Sequence, residues 1–234
     1  MTATDQKPMS PDPGRNAGDD EAQMEFGSER KAGRGAYHHG KLRDVLIDAA
    51  WDMILEQGAE RFSLADACRR AGVSTAAPYK HFRDRDEIFE IVVQRGFDRM
   101  TDQAIAEVRR IGEGTRDGVV EMLITYYRFA TAHPSIFRLM FGQQPAIKCA
   151  SEVIGSGRSG CEKILDQIRL FCVAEAIDAD PMELFIPSWT FIHGAACLTI
   201  DEDYACVAPG VDVEDMLRRK LPLLLAMAGG DQSA

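Results

Sequence analysis

The chain has 234 residues, 27 of them Lys or Arg and 37 Asp or Glu, with 45% hydrophobic content and a formal charge of −10; this suits one sizeable or two small globular domains and rules out a wholly disordered chain. Its six cysteines, at positions 68, 149, 161, 172, 197 and 206, contain no C-x-x-C pair, so no metal or other cofactor is expected. No uncharged stretch reaches the roughly 18–20 residues that span a bilayer and no basic start leads into an apolar leader; the expectation is a reducing, cytoplasmic location without a membrane partner.

Residues 1–36 mix Pro, Gly, Asp and Ser with few bulky apolar groups, too little to offset the entropy of ordering, and are predicted to be a disordered tail. From Leu42 the pattern changes. Leu42, Val45, Leu46, Ala49, Ala50, Met53 and Ile54 recur at three- and four-residue steps, which predicts an amphipathic helix that Gly58 ends. Ser63 then caps a short helix, with Asp66 as its partner in a capping box and Gly72 closing it. Ser74 caps a third helix that runs to about Phe82, with Pro78 near enough to its start to be tolerated.

Asp84 or Asp86 caps the next helix, in which Ile88, Phe89, Val92, Val93, Gly96, Phe97 and Met100 keep helical spacing. Further helical stretches are expected over 118–131, around 136–141, and over 161–177, 183–200 and 213–227, with Gly and Pro between them, including the run at Gly155, Gly157 and Gly160. No alternating strand pattern competes. The expected fold class is all-α, with a three-helix head over 37–84, a connecting helix over 85–108, a helical body over 109–229, and a tail over 230–234.

The net charge is unevenly spread. Residues 87–234 carry 14 basic and 22 acidic groups, whereas Arg69, Arg70, Lys80, Arg83 and Arg85 face only Asp84 within one 17-residue stretch. Because attraction to a phosphate backbone is screened beyond about 8–10 Å, this local surplus outweighs the global sum. Helix, tight turn and helix from Ser63 to Phe82 is the geometry that sets one helix across a DNA backbone and the next in the major groove. Ser74, Thr75, Ala76 and Ala77 would meet base edges, and Tyr79, Lys80 and His81 the phosphates. A plain helical hairpin with a solvated charged face would look the same by periodicity alone.

The stretch "FSLADACRRAGVSTAAPYKHFRDRDEI" from Phe62 to Ile88 resembles the N-terminal signature of the TetR family of transcriptional regulators. The preceding "YHHGKLRDVLIDAAWDMILEQG" is similar to that family's first helix. The resemblance implies base reading by the third helix and phosphate contacts from Tyr79 and Arg85, the latter a Lys in most relatives; Ser63, which opens the second helix, is also a DNA-contact candidate. It also implies a homodimer through the last two helices, hence a palindromic double-stranded DNA site, and an unknown small-molecule effector. Trp189, His193 and Gly194 in "SWTFIHGAACL" resemble the Trp-x-x-x-His-Gly signature of one C-terminal subclass.

Tyr126, Tyr127, Phe129, His133, Phe137, Met140, Phe185, Trp189 and His193 form the pool for an effector cavity, with Tyr126, Tyr127, Phe137, Trp189 and His193 as its candidates. Few cationic residues lie among them, which points to a neutral, lipophilic or cationic effector. Trp189 and His193 stand one turn apart, and packing of the indole on a hydrogen-bonded imidazole is the simpler reading. The expected function is a ligand-responsive repressor without enzymatic activity. The alternatives are a redox sensor using Cys161 and Cys172, which share a helix face, and a small helical enzyme built on His193 with Asp201 or Glu202, for which no nucleophile elbow, phosphate loop or zinc motif is present.

Overall fold

Gly58, Gly72 and Asp84 set the boundaries of the first elements. The computed structural model describes residues 42–76, 78–142 and 145–227; both expected tails, over 1–36 and 230–234, lie outside them, as does Ala77. The helix α1 spans 42–57, and Gly58 follows it at φ 83°, leading into a 3-10 turn at Ala59–Arg61. The helix α2, Leu64–Arg70, ends as the sequence predicts: Gly72 adopts φ 68°, and the Gly72 and Val73 amides donate to the Arg69 and Cys68 carbonyls, a Schellman closure that only a residue tolerant of positive φ completes cheaply. Ser63 is the N-cap residue, yet its side chain accepts no capping bond. Asp66, expected to complete a capping box, pairs with Arg69 instead.

The predicted third helix is much shorter than expected. Ser74 to Ala76 are turn, and regular structure resumes only as the 3-10 segment Pro78–Lys80. Proline explains this: at Pro78 the first intrahelical N–H is missing, and the residue before a proline is pushed out of the helical region. Pro78 therefore opens a new turn, accepting through its carbonyl from the His81 and Phe82 amides.

Asp84 caps the helix α3, Arg85–Ile111, by accepting from the Glu87 amide at 2.9 Å. About 40 Å long at 1.5 Å per residue, α3 runs from the head elements into the body, packing along α4 (Arg116–Ala132) and α7 (Ser151–Ala174). The short helix α5, Pro134–Phe141, lies against α3 and also meets the turn at 59–61, while α6 covers Pro145–Lys148. The helix α8, Pro181–Ile200, packs on α4 and α10 (Val213–Met227), with the small helix α9, Asp203–Val207, between. No strand occurs among the described residues.

Two sequence expectations change here. The run of glycines at 155–160 lies inside α7, which starts ten residues before Cys161. A Cβ at Gly160 would sit 2.6 Å from the Thr101 hydroxyl of α3, so the glycine is kept for close helix approach, not for a break. Pro222, expected to kink or restart the last helix, is passed without interruption in α10, whose Leu217, Leu221 and Leu225 are fully buried.

The body core joins Val119, Ile124, Ile168, Phe171, Leu184 and Leu217 from four helices. Near the head, Leu46, Ile54, Phe62, Cys68, Phe82, Phe89 and Val92 are buried, and the Phe62 and Phe89 rings lie 5.4 Å apart. Val45, expected inward, is 38% exposed, while Trp51 is buried at 4%: α1 buries a second flank, where Arg99 lies 4.4 Å over the indole and His133 packs at 6.1 Å.

Candidate functional site

The first candidate surface is the turn between α2 and α3. Ser74, Thr75 and Ala76 are exposed, and the Ala76 amide donates to the Ser74 hydroxyl at 3.2 Å, which shapes the turn. Lys80 is exposed, His81 is half-buried and Ser63 is half-buried behind them. The side chain of Tyr79 lies outside the described residues. This surface is small and polar, and it precedes a buried Phe82 that anchors it.

The local positive surplus is largely tied up by partners the sequence stretch does not contain. Arg70 makes a two-bond fork with Glu56 of α1, which holds the Glu56 carboxyl below its ordinary value. Arg83 is held by Glu87 and lies 3.8 Å from Glu90. Arg85, expected on phosphate, donates to the Ala59 carbonyl and lies 4.6 Å over the Phe89 ring. Lys80 has no carboxylate partner among the described residues. One exposed ammonium and several braced guanidinium groups thus lie close together in the chain between α2 and the start of α3.

The second candidate is a cavity of about 400 Å³ inside the body. Its walls come from α3 (Phe97, Met100, Thr101, Ala104), α4 (Met122, Leu123, Tyr126), the end of α5 (Phe141), α7 around Gly157, Gly160 and Cys161, and the start of α8 (Met182, Phe185, Trp189). Side chains missing at Gly157 and Gly160 leave much of this space, because α7 approaches α3 through them. Of the five sequence candidates, Tyr126 and Trp189 are on this wall and the other three are elsewhere. Phe137 is buried behind Tyr126, His193 faces a smaller recess beside Arg138 and Asp201, and Tyr127 meets Thr199 at 3.3 Å on another side. A pool chosen by aromatic character missed the α3 wall and the glycines, and the signal that identifies both is the small-residue run facing an apolar helix stripe.

Behind the wall, Tyr126 and His193 form a relay. The Tyr126 hydroxyl lies 2.7 Å from His193 Nδ1. Burial raises the phenol's pKa well above its ordinary value, while the Trp189 indole N–H, by donating to the phenolic oxygen, pulls the other way. Burial lowers the His193 pKa, which keeps the ring neutral at neutral pH. The imidazole is packed among Phe137, Phe141 and Trp189 at 4.9–5.9 Å.

A charged cluster fastens α4 to α10. Glu121, 7% exposed, accepts from Arg128 and Arg218, both of which also bind Glu214. Burial acts to raise the Glu121 pKa, but the two guanidinium hydrogen bonds outweigh it and hold the carboxyl below its usual range. Burial raises the thiols of Cys68, Cys161 and Cys172, which leaves them protonated and poorly nucleophilic.

No helix among the described residues is long and apolar enough to cross a membrane. Residues 46–92 match the family model of bacterial regulatory proteins of the tetR family, and residues 119–224 match the tetracyclin repressor-like C-terminal domain. The chain is 30% identical over 111 residues to an uncharacterised HTH-type transcriptional regulator of Haemophilus influenzae, covering 47% of this chain and 53% of that one. It is 29% identical over 132 residues to the nucleoid occlusion factor SlmA of Aliivibrio fischeri, covering 55% and 63%. The chain thus spans between half and two thirds of these curated relatives. Among solved structures, a protein of unknown function from Rhodococcus sp. RHA1 superposes with a TM-score of 0.72 at 28% identity, covering 82% of this chain and 98% of that one. A TetR family transcription regulator from Marinobacter aquaeolei VT8 superposes with a TM-score of 0.52 at 18% identity, covering 83% and 96%. With its head and its body each matched to a model of the same family, the chain belongs to the TetR family of bacterial transcriptional regulators.

Proposed function

We propose that the protein is a homodimeric, sequence-specific DNA-binding repressor that a small molecule releases from a palindromic operator. The observation that carries the reading is that one helix serves both candidate sites. The N-terminus of α3 is braced to the head through Arg85 and Ala59, and twelve to nineteen residues later its Phe97, Met100, Thr101 and Ala104 form a wall of the cavity. A molecule that prefers one setting of α3 biases the position of the head, by no more than its own preference between settings.

In this reading the head is 37–84, the connecting helix 85–108 and the effector and dimer domain 109–229. Ser74, Thr75, Ala76 and Ala77 meet base edges, while Ser63, Tyr79, Lys80, His81 and Arg85 position the backbone. The Trp-x-x-x-His-Gly subclass is proposed on Trp189, His193 and Gly194, which lie within the matched 119–224 span. A second copy would cover the uncharged outer line of α8, where Ile186 and Leu198 are 44% and 41% exposed, together with Leu223 of α10 at 56%. These apolar groups stand in the open beside Thr190 and Gly194, and no Cβ-distance neighbour approaches Gly194.

The test is selection of binding sites from random DNA with the full chain, followed by affinity of the winner across a salt series. The reading expects an enriched palindrome and a steep salt slope. Absence of any enriched sequence would overturn it.

A further inference from the structure

We infer that the body cavity takes an uncharged, predominantly aromatic molecule that places one polar group at Thr101, and that it rejects both permanent cations and anions. This rests on the effector reading above and supplies the chemical class that reading leaves open.

Charge selection follows from what the walls lack. No Lys, Arg, His, Asp or Glu lines the cavity. The buried acid nearest in sequence to its α4 wall, Glu121, is directed to Arg128 and Arg218. On α3, Arg99 is spent on Trp51, and Asp102 lies 3.8 Å from Lys163 of α7. A buried ion would therefore lose its water without gaining a counter-charge.

The rings themselves do not assemble a cation cage. Such a cage needs several ring faces directed at one point. Here Phe185 and Trp189 are stacked on each other with planes 6° apart, Phe97 meets Phe141 edge-on at 76°, and Tyr126 meets Phe137 edge-on at 84°. These arrangements leave edges and partial faces along the wall, suited to the offset and edge-to-face contacts of another flat ring.

Polar capacity is equally restricted. The Tyr126 hydroxyl is engaged with His193. The Thr101 hydroxyl, on a residue only 6% exposed, has no hydrogen-bond partner among the described residues. Access is at the start of α8, where Met182 lines the cavity and is 39% exposed.

The test uses three flat molecules of one shape: acridine, neutral near pH 7.5; N-methylacridinium, a permanent cation; and acridine carboxylate, an anion. Titration of the full chain, followed by tryptophan fluorescence and calorimetry, should give one acridine site per chain. Both ions should bind at least about a hundredfold more weakly. A Gly157→Leu variant fills the cavity, because a Cβ there meets only the Phe97 ring edge at 3.9 Å, and leucine favours the helix over glycine. It should keep the native circular dichroism and lose acridine binding at least about tenfold.

Failure of acridine to bind, either ion binding within about threefold of it, or undiminished acridine binding by the folded Gly157→Leu chain would overturn the inference. A parallel measurement of operator affinity with saturating acridine separates the two claims. If acridine binds selectively and the operator complex is unchanged, the ligand class stands and release by cavity occupancy falls. If the operator complex forms but acridine does not bind, the ligand class falls and the DNA-binding reading stands.

Discussion

The Tyr126 hydroxyl and His193 Nδ1 lie 2.7 Å apart and link α4 to α8 directly behind the cavity wall. The imidazole is buried there, so the integrity of the body is coupled to its protonation. His193 has a folded-state pKa below the ordinary 6.5 because it is buried. The unfolded chain therefore binds the proton more readily, and the stabilising effect is fully present above about pH 6.5 and lost as pH falls through the lower folded value. Urea unfolding at a series of pH values should show stability declining below about pH 6.5, and His193→Gln should flatten that slope. A slope unchanged in the variant would assign the decline to other groups. Tyr126→Phe leaves His193 Nδ1 without this partner, and should cost about 1–3 kcal/mol at neutral pH.

Glu121 presents the opposite sign. Its carboxyl is held below its usual range by Arg218 and Arg128, so its contribution is present above about pH 4.5 and lost on acidification. Removing the carboxylate leaves two guanidinium groups, each a little over 40% exposed, facing each other beside α10. Their exposure tempers the usual penalty for a broken buried pair, and Glu121→Gln should cost about 2 kcal/mol in chemical denaturation. The same variant should weaken dimers if α10 belongs to the interface, a shift that sedimentation at low micromolar protein would register.

These two clusters also mark where sequence reading stops. Gly58, Gly72 and Asp84 carry local rules, namely positive φ and amide capping, and the head boundaries follow from them without knowledge of the rest. Pro78 carries an equally local rule, the missing N–H and fixed φ of proline, and the segment before α3 is a single 3-10 turn among the described residues as a result. The glycines at 155–160 obey a non-local rule: their meaning depends on Thr101 and Phe97, which only the packed fold brings opposite them. Trp51 lies off the α1 stripe of apolar spacing, and its burial likewise depends on Arg99 and His133, which only the fold brings to it. The positive stretch at 69–85 was counted against its one internal acid, whereas Glu56, Glu87 and Glu90 reach it from outside. Tyr126 and Trp189 were placed on the cavity by residue type alone, and residue type says nothing about which way a helix is rotated.

The glycine argument makes a paired prediction. An added methyl at Gly160 would lie 2.6 Å from the Thr101 hydroxyl, a stiff, buried, β-branched neighbour. At Gly96 it would lie 2.7 Å from the Met140 sulfur, the end of a flexible chain that can swing aside. Gly160→Ala should therefore destabilise by about 1–3 kcal/mol, while Gly96→Ala should change stability by less than about 1 kcal/mol, helped by alanine's higher helix propensity. Thermal melts of both variants decide the matter, and equal losses would mean that Thr101 yields as easily as Met140.

Lys80 and Arg85 are held differently in the head, and the proposed DNA reading gives them different work. Lys80 is exposed and unpaired by any carboxylate among the described residues, so its ammonium is free for a phosphate. Arg85 already donates to the Ala59 carbonyl and covers Phe89, which fixes the junction of α3 with the turn after α1. Lys80→Ala should leave the melting temperature unchanged, weaken binding to all DNA sequences alike and reduce the slope of log affinity against log salt by about 1. Arg85→Ala should cost about 1 kcal/mol of stability without DNA, from a lost charge-assisted bond and ring contact, and reduce operator affinity as well. Arg85→Lys should restore the charge but not the planar fork over Phe89, so it recovers the salt slope more fully than the stability. If Arg85→Ala left stability untouched while reducing the salt slope as Lys80→Ala does, the arginine would be a phosphate contact alone, and α3 would be joined to the head by packing of Phe89 and Val92 without it.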